Sequence, residues 1–217
     1  MIDLGLKVNL PGEDRLLVSA VVLAAGQSSR MGGQFKLLVD VGGEPMIRRT
    51  VRNVLAVDPV EAIVVTGHRA EEVEAALADL PVRTVRNPDH QRGQPSSVAA
   101  GVRELRTHCH AVMIALGDQP LVGPDDLRAL IAAYRSIERG SILVPHFQGK
   151  RGNPILFAAR HIPSVLGGGI NVGCRRLVET HADEVAKVEF DRDVFTIDCD
   201  TPSDLAYLRE RLKPEVA

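Results

Sequence analysis

A loop of small residues that follows an apolar run contains two cations and is the first candidate for chemistry. The run Val18–Leu23 leads into small, flexible residues, and Arg30 and Lys36 lie within the loop that they form. Small side chains let backbone N–H groups approach and surround a phosphate, while cations neutralise its remaining charge. The segment therefore predicts that a nucleoside triphosphate binds at the carboxyl end of a first strand. A flexible turn between a strand and a helix is the alternative.

Acidic residues at the ends of two predicted strands form the second candidate group. Asp118 follows the apolar run Ala111–Leu116. Asp198 and Asp200 follow Val194–Ile197, which we predict to be a strand, and two residues apart on a strand end they should share a face. Mg²⁺ prefers one or two carboxylates together with phosphate oxygens, so Asp118 and one of the other two predict a metal site. A turn residue for Asp118 and a helix cap for Asp200 are the alternatives.

Strands that alternate with helices must position these groups. The predicted strands are Leu17–Leu23, Glu61–Thr66, Val82–Val85, Ala111–Leu116, Ile142–Pro145, Ile155–Phe157, Val185–Phe190 and Val194–Ile197. The predicted helices follow Pro45 and cover Arg69–Leu80, Ser96–Leu105, Asp125–Tyr134, Asn171–Thr180 and the segment after the N-cap Thr201. This alternation predicts an α/β fold with a mostly parallel sheet covered by helices on both faces. Ligands bind such sheets at the carboxyl ends of the strands, where Asn87 and Asp118 also fall.

Composition narrows the class of protein. The 217 residues are 45% apolar and 25% charged, which fits one α/β domain over residues 17–217 with an N-terminal extension over residues 1–16. A net charge of −2 and 3% aromatic residues argue against nucleic acid or an anionic membrane as a partner. Three widely spaced cysteines and the lack of a membrane-length apolar stretch favour reduced thiols in a cytoplasmic protein.

Three motifs resemble those of a known family. The segment LAAGQSSRMGGQFK, which begins at Leu23, is similar to the signature of nucleotidyltransferases with the GT-A-like, three-layer α/β sandwich fold. Gly117–Pro120 looks like their GDxP metal motif, and Asp198–Pro202 looks like their DxDTP motif. Thr66–His68, Gly93–Ser97 and Lys150–Pro154 resemble the molybdenum cofactor cytidylyltransferase branch. That branch transfers CMP from CTP to molybdopterin for molybdenum hydroxylases, so the resemblance implies these substrates, Mg²⁺ and transient contact with such a client enzyme.

The resemblance also implies a role for each matching position. Arg30, Lys36 and Asp118 would be catalytic, with Arg30 on the β- and γ-phosphates and Lys36 on the α-phosphate. Residues that would bind the nucleotide are Leu23, Ala24, Ala25, Gly26, Ser28, Thr66, Gly67, Asn87, Ser96, Ser97 and Gly117. Asp118 and Asp200 would bind Mg²⁺. Residues that would face the acceptor are Lys150, Arg151, Gly152, Asn153, Asn171 and Arg175.

Two departures leave the function open. The family segment GDxGAR corresponds here to Ile170–Arg175, in which Ile and Asn replace the first Gly and the Asp. A nucleotidyltransferase acting on a sugar-, alditol- or lactyl-phosphate, or on a nucleotide other than CTP, is therefore an alternative. A nucleotide-binding maturation factor without turnover is another. For the enzyme, we predict in-line attack of an acceptor phosphate on the α-phosphorus, which needs positioning and charge neutralisation more than a general base.

Overall fold

A mostly parallel β-sheet forms the centre of the protein, whose computed structural model describes residues 15–167 and 174–213. The strands are β1 (Val18–Ala24), β2 (Glu61–Thr66), β3 (Arg83–Arg86), β4 (Ala111–Leu116), β5 (Ile142–Phe147), β6 (Lys150–Arg151), β7 (Ile155–Ala158) and β8 (Val185–Glu189). Their order is β3-β2-β1-β4-β7-β5-β6, and β8 pairs with β5. Strands β1 to β4 are parallel, and β7 runs antiparallel to both β4 and β5. Because β7 lies between β4 and β5 and is antiparallel to both, β4 and β5 run in the same direction and end at the same edge of the sheet.

Helices cover both faces of this sheet. They are α1 (Met46–Leu55), α2 (Ala70–Ala76), α3 (Gln94–Arg103), α4 (Pro124–Arg135), α5 (Ile162–Gly167), α6 (Cys174–Thr180) and α7 (Pro202–Arg211). Successive side chains of a strand point to opposite faces, and β1 accordingly contributes Val22 to one apolar cluster and Val21 to the other. The first cluster includes side chains of α1, α2, α4 and α7, and the second includes side chains of α3, α5 and α6. The predicted α/β fold with a mostly parallel sheet is confirmed.

The central strands match their sequence pattern closely. β2 and β4 have the predicted bounds, because a parallel strand buried on both faces has a nearly continuous apolar sequence. Helix α2 is shorter than predicted and ends at Ala76 rather than Leu80. Within residues 15–167 and 174–213, no helix is both long and apolar enough to cross a lipid bilayer. The cysteines Cys109, Cys174 and Cys199 are buried free thiols.

The strand predicted over Val194–Ile197 is wrong, since Asp193–Thr196 forms a 3₁₀ helix. Val194 and Phe195 are adjacent, and each is 1% exposed. A 3₁₀ helix lets both of these neighbours enter the core, whereas a strand would turn them to opposite faces. The residues that follow are irregular, so Asp198 and Asp200 do not share the face of a strand.

Candidate functional site

The loop after β1 folds back so that Lys36 returns to the carboxyl edge of the sheet. Met31 and Phe35, which are buried, anchor the loop in the core. Ser28 has a φ of +55°, a left-handed conformation that is uncommon for a residue with a side chain. Its Oγ accepts a hydrogen bond from the Lys36 backbone N–H at 3.2 Å, which closes the loop. A Cβ placed on Gly26 would meet nothing within 4 Å, so the backbone there faces open space.

Lys36 joins the two acidic motifs. Its Nζ lies 2.5 Å from Asp118 Oδ2 and 2.9 Å from Asp200 Oδ1. Burial lowers the pKa of Lys36, but the charges and hydrogen bonds of the two carboxylates more than offset this, so its pKa is raised. The side chain is therefore a cation, held between carboxylates that are 82 and 164 residues away in the sequence.

Asp200 is held from three sides. Arg30 Nη2 lies 2.8 Å from Asp200 Oδ2, on the side opposite to the oxygen that Lys36 contacts. The backbone N–H groups of Asp200 and Thr201 donate to Asp204 Oδ2 at 3.0 and 2.8 Å. Thr201 Oγ1 accepts in turn from the Asp204 N–H at 3.3 Å, so the predicted N-cap of α7 is present. This capping box fixes the backbone that presents Asp200 to the site.

Asp198 pairs with Gln119 rather than with the Lys36 ammonium. Its Oδ1 accepts a hydrogen bond from Gln119 Nε2 at 2.6 Å. Burial, together with the negative charge of Asp118, raises the pKa of Asp198 to about 6. The Cys199 N–H donates to the Asp118 carbonyl oxygen at 3.1 Å, which ties this irregular segment to the end of β4. Of the two acids in the predicted DxDTP-like motif, Asp200 is therefore the one that joins Asp118 on a common cation.

A cleft of about 360 Å³ opens beside these groups. The predicted site residues that line it are Leu23, Ala25, Gly26, Lys36, Ser97 and Asp118. The cleft is also lined by Gln27, Gly93 and Gln94, which lie within the motif segments, and by Leu37, His90, Gln91 and Leu116, which the sequence did not single out as site residues. Among the other predicted residues, Ala24 is buried in β1, and the Gly117 N–H donates to the Leu23 carbonyl oxygen at 2.9 Å. Arg30 and Asp200 are not among the lining residues, but Asp200 pairs with Lys36 and Arg30 pairs with Asp200.

Three predicted nucleotide-binding residues lie behind the cleft rather than on it. Thr66 is fully buried, and its Oγ1 donates to Glu74 Oε1 of α2 at 3.1 Å. Asn87 Nδ2 donates to the hydroxyl oxygens of Ser96 and Ser97 at 2.9 and 3.0 Å. Thr66, Asn87 and Ser96 therefore do not line this cleft, and neighbouring side chains engage their polar atoms. Asn87 instead positions Ser97, which does line it.

Gly67 lets two walls of the cleft meet. A Cβ on Gly67 would lie 2.7 Å from His90 Cβ and 2.8 Å from Ala25 Cβ, closer than real carbon atoms approach. His90 Nδ1 lies 3.2 Å from the Asn87 carbonyl oxygen, to which it donates. His90 and Gln91 could have been suspected, since they lie in the polar segment that follows the carboxyl end of β3.

The predicted acceptor residues divide into two groups. Lys150 and Arg151 form β6 and are exposed. The Asn153 N–H and Gln119 Nε2 both donate to the Phe195 carbonyl oxygen, at 2.9 and 3.2 Å, so this loop is fixed next to the GDxP-like motif. A Cβ on Gly152 would lie 2.5 Å from the same oxygen.

The other acceptor residues lie around α6. Arg175 is exposed, and its Nε donates to Glu179 Oε1 at 3.0 Å, so a neighbour on its own helix engages it. Asn171 lies outside the described residues.

The chemistry of the site fits a divalent cation. Oxygens of Asp118 and Asp200 converge on the Lys36 ammonium, which stands where a cation is favoured. Mg²⁺ is bound in proteins through one or two carboxylates, with substrate phosphates and water completing the sphere. Asp118 and Asp200 are the residues of this site that would hold it.

The fold and this site together define a nucleotidyltransferase-type α/β domain. A solved nucleotidyl transferase from Methanothermobacter thermautotrophicus has a TM-score of 0.77 and 30% identity, with 90% of this chain and 97% of that chain covered. Rv0371c from Mycobacterium tuberculosis H37Rv has a TM-score of 0.78 and 26% identity, with 90% and 98% covered.

The chain belongs to the family described as the MobA-like NTP transferase domain, whose profile matches residues 20–186. Among curated relatives, the bifunctional protein GlmU of Alkalilimnicola ehrlichii is 43% identical over 117 residues, which is 53% of this chain. The chain spans 25% of the length of that relative.

Proposed function

We propose that this chain is a Mg²⁺-dependent nucleotidyltransferase that moves CMP from CTP to the phosphate of molybdopterin and releases pyrophosphate. The observation that carries the proposal is the Lys36 ammonium between Asp118 and Asp200, at a cleft whose other wall is the small-residue loop after β1. Cations and exposed backbone N–H groups at one strand end suit a triphosphate, and the two carboxylates suit the metal that accompanies it.

The reaction transfers a nucleotidyl group in a single displacement. An oxygen of the acceptor phosphate forms a bond to the α-phosphorus of CTP, while the bond from that phosphorus to the bridging oxygen breaks and its electron pair leaves with pyrophosphate. The acceptor phosphate is already ionised near neutral pH, so no side chain has to remove a proton. Bound Mg²⁺ would supply charge neutralisation on the phosphate oxygens.

The side chains of this chain position and neutralise the reacting groups. Lys36 would turn from the carboxylates to the α-phosphate when nucleotide enters, and Arg30 would hold the leaving β- and γ-phosphates. The backbone of Ala25 and Gly26 would donate to the triphosphate, and Ser97 would contact the nucleoside. Positive charge held in place before the reaction stabilises the developing charge without reorganisation.

The β5–β6 hairpin supports an acceptor site at the same edge of the sheet. Lys150 and Arg151 place two exposed cations there, which suits a phosphorylated acceptor. The shared Phe195 carbonyl oxygen links this loop to Gln119, the residue after Asp118. The assignment of CTP and molybdopterin, and of a client molybdenum hydroxylase, rests on the motif resemblance.

A second candidate keeps the chemistry and changes the acceptor to a sugar-, alditol- or lactyl-phosphate. It is favoured by Ile170 and Asn171, which depart from the GDxGAR segment of the cytidylyltransferase branch. Pyrophosphate release should be measured with each nucleoside triphosphate and each acceptor in turn. Release with CTP and molybdopterin alone supports the first candidate, release with another phosphorylated acceptor supports the second, and tight CTP binding without release would leave a nucleotide-binding maturation factor.

A further inference from the structure

Two histidines and a glutamate meet beside α5 and α6, away from the nucleotide cleft. His161 ends the 3₁₀ helix Ala159–His161, and His181 and Glu184 follow α6. One ligand atom from each of the three lies within 4.8 Å of those of the other two. No other group of three His, Cys, Asp or Glu side chains converges in this way within residues 15–167 and 174–213. None of the three lines the cleft beside Lys36.

The distance between two of these ligand atoms matches a zinc coordination sphere. His161 Nε2 lies 3.5 Å from Glu184 Oε2. Zinc binds imidazole nitrogen and carboxylate oxygen at about 2.0–2.2 Å, so two such atoms in a tetrahedral sphere lie about 3.4 Å apart. A zinc ion could therefore bind both atoms with little change in the distance between them.

The ring of His181 is oriented as that of a metal ligand. Its Nδ1 lies 3.2 Å from the Leu177 carbonyl oxygen. A carbonyl oxygen can accept a hydrogen bond and cannot donate one, so Nδ1 carries the proton and Nε2 of the neutral ring has a free lone pair. Histidines that bind metals commonly donate their second ring N–H to a backbone carbonyl in this way. The rings of His161 and His181 have centroids 4.8 Å apart, and a ring nitrogen of His181 lies within 4.8 Å of a Glu184 carboxylate oxygen.

Two neighbours decide how strongly the group attracts a cation. Ser141 Oγ donates to Glu184 Oε2 at 2.5 Å and accepts from His161 Nε2 at 2.6 Å, so it orients both side chains, and the Nε2 proton must leave when a metal binds. Arg160 Nη2 donates to the same glutamate oxygen at 2.7 Å and competes with any cation there. Ser141 and Arg160 also line a separate cleft.

We propose that His161, His181 and Glu184 form a zinc site, with a water molecule as the fourth ligand. When the ion binds, Glu184 gives up its hydrogen bond from Arg160 and contacts the ion instead. The ion then ties the start of α5 to the end of α6, the two helices that flank residues 168–173. This site is distinct from the one at Asp118 and Asp200, and its existence does not depend on the proposed transferase activity.

The test is a zinc titration of the full chain after chelator treatment, with a chromogenic chelator as competitor and Co²⁺ as a spectroscopic probe. We expect wild type to bind one equivalent at this site, with the visible absorption of tetrahedral Co²⁺. His181→Ala and Glu184→Gln should each raise the Kd at least tenfold. Arg160→Gln should lower the Kd, because it removes the competing charge. Packing alone would not produce these opposite changes.

Two variants provide matched controls. His108→Ala removes an exposed histidine that also lies beside another, His110, with ring centroids 5.5 Å apart. Asp200→Asn removes a carboxylate of the nucleotide site. Both variants should keep the zinc Kd of wild type. Thermal denaturation in the presence of chelator should show that every variant is folded. The proposal is overturned if wild type binds no stoichiometric ion, if His181→Ala and Glu184→Gln bind as wild type does, or if Asp200→Asn abolishes binding.

Discussion

Replacing Lys36 by Met should change metal binding and turnover in opposite directions. The ammonium holds two carboxylates whose side chains are 16% and 33% exposed. Ion pairs at the surface are worth about 0–1 kcal/mol, and breaking a buried pair costs about 3–5 kcal/mol, so this half-buried cation should contribute about 1–3 kcal/mol. Without it, both carboxylates are free for a divalent ion, and Mg²⁺ should bind about 5- to 150-fold more tightly in the absence of nucleotide. Turnover should fall about 100- to 1,000-fold, because the cation on the α-phosphate is lost.

The measurements are a calorimetric titration with Mg²⁺ and a pyrophosphate-release assay at saturating substrate. Lys213→Met is the matched control, since Lys213 is exposed and pairs with Glu210 near the far end of α7. It should keep both the Mg²⁺ affinity and the turnover of wild type. Weaker Mg²⁺ binding in Lys36→Met, or unchanged turnover, would refute the assignment of Lys36.

Further predictions concern the support of the site and the surface. Asp204→Ala removes the capping box that holds the backbone of Asp200, so urea denaturation should show a loss of about 1 kcal/mol, with a measurable fall in turnover. Gly67→Ala would put a carbon 2.7 Å from His90 Cβ, so calorimetry should show weaker nucleotide binding. Hydrogen bonds from Arg48 lower the pKa of Asp79 from 3.8 to about 2. The stabilisation from this lowered pKa is present above pH 3.8 and is lost as the pH falls towards 2, so Asp79→Asn should lose less stability than wild type over that window.

Two controls accompany these variants. Gly167→Ala places a Cβ where nothing lies within 4 Å, so it should leave nucleotide affinity unchanged and would expose any general effect of a glycine substitution. Asp125→Asn is the control for Asp79→Asn, because it removes a carboxylate that is 93% exposed and pairs with Arg128 within the same turn of helix. Its acid sensitivity should match that of wild type. Equal acid sensitivity of Asp79→Asn and wild type would contradict the role given to the pair with Arg48.

Local sequence patterns predicted the parts of the fold that local physics decides. The bounds of β2 and β4 follow from continuous apolar runs, and the start of α7 follows from the side-chain chemistry of Thr201 and Asp204. The antiparallel β7 between β4 and β5 has no such local signature, because strand direction depends on how distant segments pack. The 3₁₀ helix Asp193–Thr196 was missed because an apolar run of four residues does not distinguish a strand from a tight turn.

In the candidate site, too, local sequence predicted some features and tertiary packing decides the others. Its loop, its cations and its acids could be named from the sequence, but their pairing joins residues that are 82 and 164 positions apart. The buried networks of Thr66 and Asn87 could not be foreseen, since their partners Glu74 and Ser96 become neighbours through tertiary packing. A polar residue at a strand end can face a ligand or support the residue that does, and the alternation of strands and helices does not separate the two.

The most direct test of the proposed function follows a label from the α-phosphorus of CTP. With Mg²⁺ and molybdopterin present, the label should appear in the acceptor product, in equal amount to unlabelled pyrophosphate. Asp118→Asn should abolish this transfer while its melting temperature stays close to that of wild type. Label that remains in free nucleotide while the terminal phosphate is released, or full transfer by Asp118→Asn, would contradict nucleotidyl transfer at the site formed by Lys36, Asp118 and Asp200.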